Sequence, residues 1–171
     1  SLPGYLLTEV QNINAIKDDT LEVEIYMKQK TRDLLFELTV KEGDPDRISN
    51  ITGTLSGIAG SFDLSSQRIC GEAMNTSFPF ARTNDKITAH TRLLGTTGLK
   101  QSLRIDLTFT DGSSQTIEND LTDLLKNFND DMPTPMYITG DLLTPIEADM
   151  TATIVGWENG NEENGENIEI Y

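Results

Sequence analysis

The chain offers few residues that could act as a nucleophile or as a general base. It contains one cysteine, Cys70, and one histidine, His90. A Cys–His dyad needs a thiol activated by its surroundings, and nothing around Gly71 and Glu72 indicates activation, so we expect Cys70 to be a small core or loop residue. His90 lies in a run that alternates between apolar and polar residues, which predicts an outward, solvent-facing position on a strand. Ser56 lacks the leading glycine of a Gly-x-Ser-x-Gly elbow. The sequence therefore predicts no catalytic residue.

Acidic side chains are abundant, and three clusters of them could be considered for Ca²⁺. These clusters are Asp18-Asp19, Asp44 with Asp46, and Asn129-Asp130-Asp131. Hard cations take oxygen ligands, but no cluster has the spacing of a calcium-binding loop with its closing glutamate. All three fall at predicted turns, where Asp and Asn are common for conformational reasons. We expect no metal ion and no cofactor.

A glycine-rich segment raises the question of phosphate binding. Gly53, Gly57 and Gly60 follow one another closely, but no lysine follows them as a phosphate-binding loop requires. We expect these glycines to permit a bulge or a tight bend between strands.

The elements that must position these residues show an alternation with a period of two. Apolar side chains occupy one face in each of four runs, at 21–27, 34–40, 87–93 and 103–109. Because successive side chains of a strand point to opposite faces, each run predicts a strand with one buried side. Weaker patterns predict further strands at 48–56, 61–64, 76–81, 134–142 and 150–157. The dipeptide Asp111-Gly112 lies between two such runs and is typical of a hairpin turn.

One short helix is predicted near residues 120–128. Asp120 can cap its N-terminus, and apolar residues follow at helical spacing: Leu121, Leu124, Leu125 and Phe128. Many short strands with a single helix predict an all-β protein, an antiparallel β-sandwich of about seven strands in two sheets packed face to face.

Length and charge narrow the classes of function. A chain of 171 residues suits one domain. Its 13 basic and 28 acidic residues give a net charge of 13 − 28 = −15, which argues against binding to nucleic acid or to an anionic membrane surface. One cysteine excludes an intramolecular disulfide. No apolar run approaches the roughly 20 residues of a membrane span, and the first residues do not form a signal peptide.

The composition changes after Trp157. Residues 158–171 contain five glutamates and no basic residue. We therefore assign 1–157 to a single β-sandwich domain and 158–171 to an acidic, flexible C-terminal tail. The last four residues, 168–171, alternate like a strand, so the alternative is that they pair with the edge of another chain.

Five segments, taken together in their order and spacing, carry a resemblance to a known family. They are the small-residue strand and bend at 51–60, Leu93-Leu94-Gly95, the long strand closing on Asp-Gly at 103–112, the helix entrance at 119–125 and the tryptophan-containing end at 154–158. Over about residues 20–158 the chain resembles the Bacteroidales fimbrillin-associated family, the FimB-type accessory and anchor subunits of fimbriae. This family is related to outer-membrane lipoproteins with a domain of unknown function.

The resemblance implies a transthyretin-like sandwich, export to the cell surface and outer membrane of a Gram-negative bacterium, and a non-catalytic role in fibres. The expected partners are other fimbrial or surface subunits. Members of the family usually carry two such domains behind a lipidated cysteine. Because Cys70 lies in the middle of the chain, we expect membrane association only through a missing upstream lipidated segment.

A second hypothesis is a glycan-binding domain of an outer-membrane lipoprotein that captures polysaccharide. Trp157 and Tyr26, both expected to be exposed, would then be the residues that stack on sugar rings. An enzyme is the least favoured class, since no complete catalytic constellation can be assembled.

Overall fold

A computed structural model of the chain describes residues 6–8, 14, 17, 20, 22–146 and 150–160. Within these residues the chain forms mainly strands, with a 3-10 turn at Pro45–Arg47 and one α-helix, α1, at Thr122–Leu125. The strands are β1 (Leu6–Leu7), β2 (Lys28–Gln29), β3 (Arg32–Glu42), β4 (Ile48–Asp63), β5 (Arg68–Pro79), β6 (Ala81–Thr83), β7 (Lys86–Leu93), β8 (Ser102–Phe109), β9 (Ser114–Asp120), β10 (Met136–Leu143) and β11 (Thr153–Gly160).

Two sheets form the body of the fold. One has five strands in the order β11-β10-β3-β7-β6, and the other has four in the order β5-β4-β8-β9. A separate antiparallel pair joins β1 to β2. The predicted all-β sandwich is confirmed. The described sheets hold more strands than the predicted seven, and one neighbouring pair, β3 with β10, is parallel.

The core lies between the inner faces of the two sheets. The alternating apolar residues of β3, β7 and β8 all belong to it, as their period-two pattern predicts. Three phenylalanines stand at its centre: Phe36 of β3 stacks on Phe78 of β5 with ring centroids 5.6 Å apart, and Phe80 lies 5.7 Å from Phe78. This shared apolar interior holds the two sheets together.

Strand β4 is one long strand where the sequence predicts two, at 48–56 and 61–64. Its pairing with β5 is irregular between Leu55 and Ile58 and again between Ala59 and Ser61. Gly57 has a φ of 71°, a left-handed conformation that glycine adopts without a steric penalty. The expectation that glycines permit a bulge in this segment is confirmed.

The alternating run at 21–27 does not form the predicted strand with a buried side. Residues 22–27 are exposed and have no strand conformation, and the strand that follows them, β2, spans only two residues. Residue 21 lies outside the described residues. Val23, Ile25 and Met27 keep the apolar alternation but have no sheet face to cover, and Met27 is 63 % exposed.

The remaining boundaries differ modestly from the predictions. Strand β10 matches the prediction at 134–142, whereas β5 begins eight residues before the predicted start at 76. The Asp111-Gly112 hairpin is confirmed, since β8 and β9 pair antiparallel on either side of it. Strand β11 extends to Gly160, beyond the predicted boundary of the tail at 158. Residues 161–171 lie outside the described part of the chain.

Helix α1 is shorter than the predicted helix at 120–128. The prediction that Asp120 caps it is wrong: the N-cap residue is Leu121, and no side chain caps the helix. Asp120, one residue earlier, accepts a hydrogen bond from the Thr122 N–H at 3.0 Å. Leu121, Leu125 and Phe128 are fully buried, which agrees with their helical spacing. The helix therefore closes one end of the core.

Arg32, at the start of β3, holds the segment that follows this helix. Its side chain is buried, with only 6 % of the residue exposed. The guanidinium donates to the carbonyl oxygens of Thr134 at 2.6 Å, Asn127 at 3.0 Å and Phe128 at 2.9 Å. It also lies 5.4 Å from the centre of the Phe128 ring. Arg32 thus binds three main-chain acceptors in the segment after α1, of which the Asn127 carbonyl also accepts from the Asp130 N–H at 3.2 Å.

Candidate functional site

The two lateral sides of the sandwich differ. On one side the edge strands β9 and β11 are bridged by Gln115. Its side-chain amide donates to the Met150 carbonyl at 3.1 Å, and its carbonyl oxygen accepts from the Ala152 N–H at 2.5 Å. The amide of Gln115 therefore ties β9 to the segment that leads into β11, and we call this bridged side the closed side.

The opposite side is open in the part of the chain that the structure describes. There β5 is the edge of the four-stranded sheet, and β6 pairs with β7 only along Lys86–Thr88. Residues 89–93 of β7 pair with β3 on one side, and no other described strand pairs with them on the other. A cleft of about 490 Å³ lies between this half of β7 and β5, lined by residues 58–60, 74–79 and 90–94. We call residues 89–93 the open edge of β7.

The alternation of hydrogen bonds shows which peptide groups face the cleft side. The Val40 N–H donates to the Asp85 carbonyl at 2.8 Å, and the register continues antiparallel from there. In such a ladder every second residue bonds to the same neighbour. Ala89, Thr91 and Leu93 therefore bond to β3. The peptide groups of His90 and Arg92 point to the side on which β6 has ended.

The side chains of these same two residues are held by Asp33 of β3. His90 Nε2 lies 2.7 Å from Asp33 Oδ1, and Arg92 donates from Nε to Oδ1 at 2.9 Å and from Nη2 to Oδ2 at 3.1 Å. An ionised carboxylate only accepts, so Nε2 of His90 carries the shared proton. The sequence prediction of a solvent-facing His90 is wrong in this respect. The ring does lie on the outer face, but it is half-buried and hydrogen-bonded.

The electrostatics of Asp33 follow from these contacts. Burial alone raises the pKa of its carboxyl group. The hydrogen bonds and charges of Arg92 and His90 lower that pKa by more than burial raises it, so the net pKa lies below its ordinary value. Asp33 is therefore a buried anion compensated by two side chains from the neighbouring strand. Farther along the same two strands, Glu37 pairs with Lys86 where β6 covers β7.

The polar character of the cleft differs from that of the whole chain. The protein carries 28 acidic residues, yet the cleft lining includes none, and its charged or titratable members are Arg92 and His90. Ile58, Met74 and Phe78 supply its apolar part. The cleft is thus an apolar and neutral-to-basic surface on an acidic protein, beside a strand edge with free peptide groups.

Cys70 lies on β5 and is exposed, so the expectation of a core or loop position is wrong. The edge strand explains this, because most of its side chains face solvent. Nothing in the described structure places His90 next to Cys70.

The two aromatic residues of the glycan hypothesis lie in different environments. Tyr26 is 73 % exposed, and its hydroxyl donates to the Glu24 carboxylate at 2.5 Å. Trp157 is half-buried instead of exposed, because its ring packs against the core and lies 3.1 Å from where a side chain on Gly140 would begin. A side chain at position 140 would require that ring to shift by a few tenths of an ångström. Among the described residues, Tyr26 is the only exposed aromatic ring.

The acidic clusters have local structural roles. Asp44 accepts from the Asp46 N–H at 2.9 Å and begins the 3-10 turn, while Asp46 pairs with Arg82. Asn129 bonds to the main chain of Thr96 through both ends of its amide. Asp18 and Asp19 lie outside the described residues. In the described part of the chain no group of three or more His, Cys, Asp or Glu side chains could hold a metal ion.

Sequence reasoning did not find Asp33 or the open edge. Asp33 is the second residue of β3 and directly precedes its apolar residues, and this position is a weak signal. Its partners lie 57 and 59 residues away along the chain. Only the register of β3 against β7 brings them together.

This architecture defines a β-sandwich protein with one closed and one open lateral side. The chain belongs to the family of fimbrillin-A associated anchor proteins Mfa1 and Mfa2, whose model matches residues 3–163. The family expected from the sequence is thereby confirmed. No match is found among curated proteins.

Several solved structures share the fold. The fimbrial anchor protein Mfa2 from Porphyromonas gingivalis superposes with a TM-score of 0.55 and 14 % identity over 91 % of this chain and 57 % of that protein. An adhesin candidate from Bacteroides ovatus superposes with a TM-score of 0.56 and 12 % identity, over 83 % of this chain and 54 % of that protein. A candidate cell adhesion protein from Bacteroides fragilis superposes with a TM-score of 0.50 and 16 % identity, over 84 % of this chain and 49 % of that protein. At these identities the likeness concerns the fold, and the chain spans about half the length of these structures.

No helix in the described part of the chain is long and apolar enough to cross a membrane.

Proposed function

We propose that this chain is a non-catalytic accessory or anchor-type part of a surface fibre, and that it joins another fimbrial subunit through the open edge of β7. The observation that carries the proposal is the combination of an unpaired half-strand with a 490 Å³ cleft beside it. A strand with free peptide groups can accept an extended segment from another chain by main-chain hydrogen bonds. Family membership supports fimbrial subunits as the partners.

The contrast between the two sides favours this location. Gln115 closes the side between β9 and β11, so addition of a strand there has to compete with existing contacts. On the open side the incoming strand meets free peptide groups and an apolar lining. The absence of acidic residues from that lining lowers, at this site, the repulsion that the net charge of −15 imposes. The proposed location is the outer membrane and cell surface of a Gram-negative bacterium.

Affinity capture tests the proposal. The chain is immobilised, exposed to solubilised envelopes of the source bacterium, and the captured material is identified by mass spectrometry. We expect recovery of fimbrillin-type subunits. Thr76→Lys, which places a charge on the cleft wall, should abolish capture, whereas Ser114→Lys on the closed side should retain it. Equal capture by both variants would place the interface elsewhere.

Glycan binding is the second proposal, and the exposed ring of Tyr26 is the observation that favours it. Polysaccharide captured without any protein partner would support it over the fimbrial role. Because Trp157 packs on the core, Tyr26 is the residue to replace first in that case.

A further inference from the structure

We propose that Asp33 is a positioning residue that keeps the open edge of β7 extended and ready to receive a partner strand. This inference rests on the proposed function, since it concerns how the same edge is prepared for binding. A half-strand with a neighbour on only one side is prone to fraying. A frayed edge lowers the apparent affinity for its partner by the fraction of time that it is out of place.

Both faces of this half-strand are fixed. On the inner face, Ala89, Thr91 and Leu93 are 5 %, 2 % and 1 % exposed and are held by the core. On the outer face, the only side chains of the open edge are His90 and Arg92, and Asp33 binds both of them. The peptide groups of the same two residues remain available to a partner. Asp33 thus restrains the side chains and leaves the main-chain donors and acceptors free.

The neighbouring ion pair provides a built-in comparison. Glu37 binds Lys86 on the same face and between the same two strands, but in the half of β7 that β6 already pairs. Strand pairing restrains that half without help from the carboxylate. Loss of Asp33 should therefore loosen the open edge, and loss of Glu37 should not.

Amide hydrogen exchange followed by NMR tests the first step on the whole chain. In Asp33→Asn, the amides of Thr91 and Leu93, which bond to β3, should exchange at least tenfold faster while that of Ile87 changes little. Arg92→Gln, which removes two of the three hydrogen bonds to Asp33, should give the same pattern, and Glu37→Gln should not. Unchanged exchange at Thr91 and Leu93, or an equal increase throughout both sheets, would overturn the proposal.

Binding kinetics test the second step with a synthetic peptide of alternating threonine and valine, seven residues long. Asp33→Asn should slow association at least fivefold and leave dissociation unchanged, because a prepared edge affects capture of the strand and not its final contacts. Asp33→Glu should restore part of the association rate. Equal association with wild type and Asp33→Asn would overturn the positioning role. A wild-type chain that binds neither this peptide nor any fimbrial subunit would instead refute the proposed function, and the inference with it.

Discussion

Replacement of Arg32 by methionine should destabilise the protein more than replacement of any exposed arginine. Methionine keeps much of the length and apolar volume of the arginine stem but has no donor. The carbonyl groups of Phe128 and Thr134 would lose the arginine as a partner, and that of Asn127 would keep only its hydrogen bond from the Asp130 N–H. The perturbation therefore removes polar contacts while it preserves packing.

The magnitude follows from the number and kind of contacts. Hydrogen bonds to a charged group contribute about 1.5–3 kcal/mol each, so three of them sum to at least about 4.5 kcal/mol. Removing the cation also removes the energetic cost of burying its charge. That cost is visible in the pKa of Arg32, which burial lowers although Asp131 and Asp130 raise it. We expect a net loss of about 3–4 kcal/mol in the free energy of unfolding. Arg32→Lys, with a single compact donor group, should lose about half as much.

Urea denaturation at neutral pH measures this loss, and hydrogen exchange shows where it acts. Arg104→Met is the matched control, because Arg104 is exposed and its guanidinium hydrogen-bonds to the carboxylate of Asp106. It should leave stability essentially unchanged. Exchange in Arg32→Met should increase first at residues 126–135. Equal stability of the two methionine variants would refute the reasoning, since it would mean that the three carbonyls find other partners at no cost.

Three further predictions test other parts of the structure. The extra stability of wild type over Asp33→Asn should shrink as the pH falls below about 4, because a carboxyl with a lowered folded pKa stabilises the fold only when ionised. Urea titrations at pH 7, 5 and 3 check this, and an undiminished difference at pH 3 would contradict it. Gln115→Ala should cost about 1–2 kcal/mol of unfolding free energy and speed amide hydrogen exchange at Ile154, yet leave capture of fimbrial subunits intact. Lost capture with unchanged hydrogen exchange would reverse the assignment of closed and open sides. Trp157→Ala should cost about 2 kcal/mol because the ring packs on the core, and thermal unfolding that is unaffected would show that the ring is dispensable there.

The fold could be predicted from the sequence where a buried face imposes a period. The runs at 34–40, 87–93 and 103–109 alternate because each covers the same core, and each forms the predicted strand. The run at 21–27 alternates equally well but covers no sheet, which shows that periodicity predicts a face and not its partner. Strand β5 lacks a clear pattern in its first half because an edge strand exposes most of its side chains.

The candidate site could not be predicted, since it depends on where pairing stops. Alternation predicts β7 itself. No local feature shows that the pairing of β6 with β7 reaches only as far as Thr88, or that Asp33 lies beside Arg92. Trp157 illustrates the same limit. Its exposure depends on Gly140 of the neighbouring strand, which leaves space for the ring. The family resemblance carried the functional prediction, and the register of distant strands determines where the partner would bind.

Site-specific photo-crosslinking tests the central claim most directly. A benzophenone amino acid is placed at position 75, in place of Asn75 on the cleft wall, or at position 118, in place of exposed Glu118 on β9. Each variant is incubated with solubilised envelopes and irradiated, and the crosslinked products are sequenced. Binding through the open edge predicts a crosslink from position 75 to an extended segment of a fimbrial subunit, and none from position 118. Crosslinks from position 118 alone, or fimbrial subunits captured without any crosslink at position 75, would contradict it.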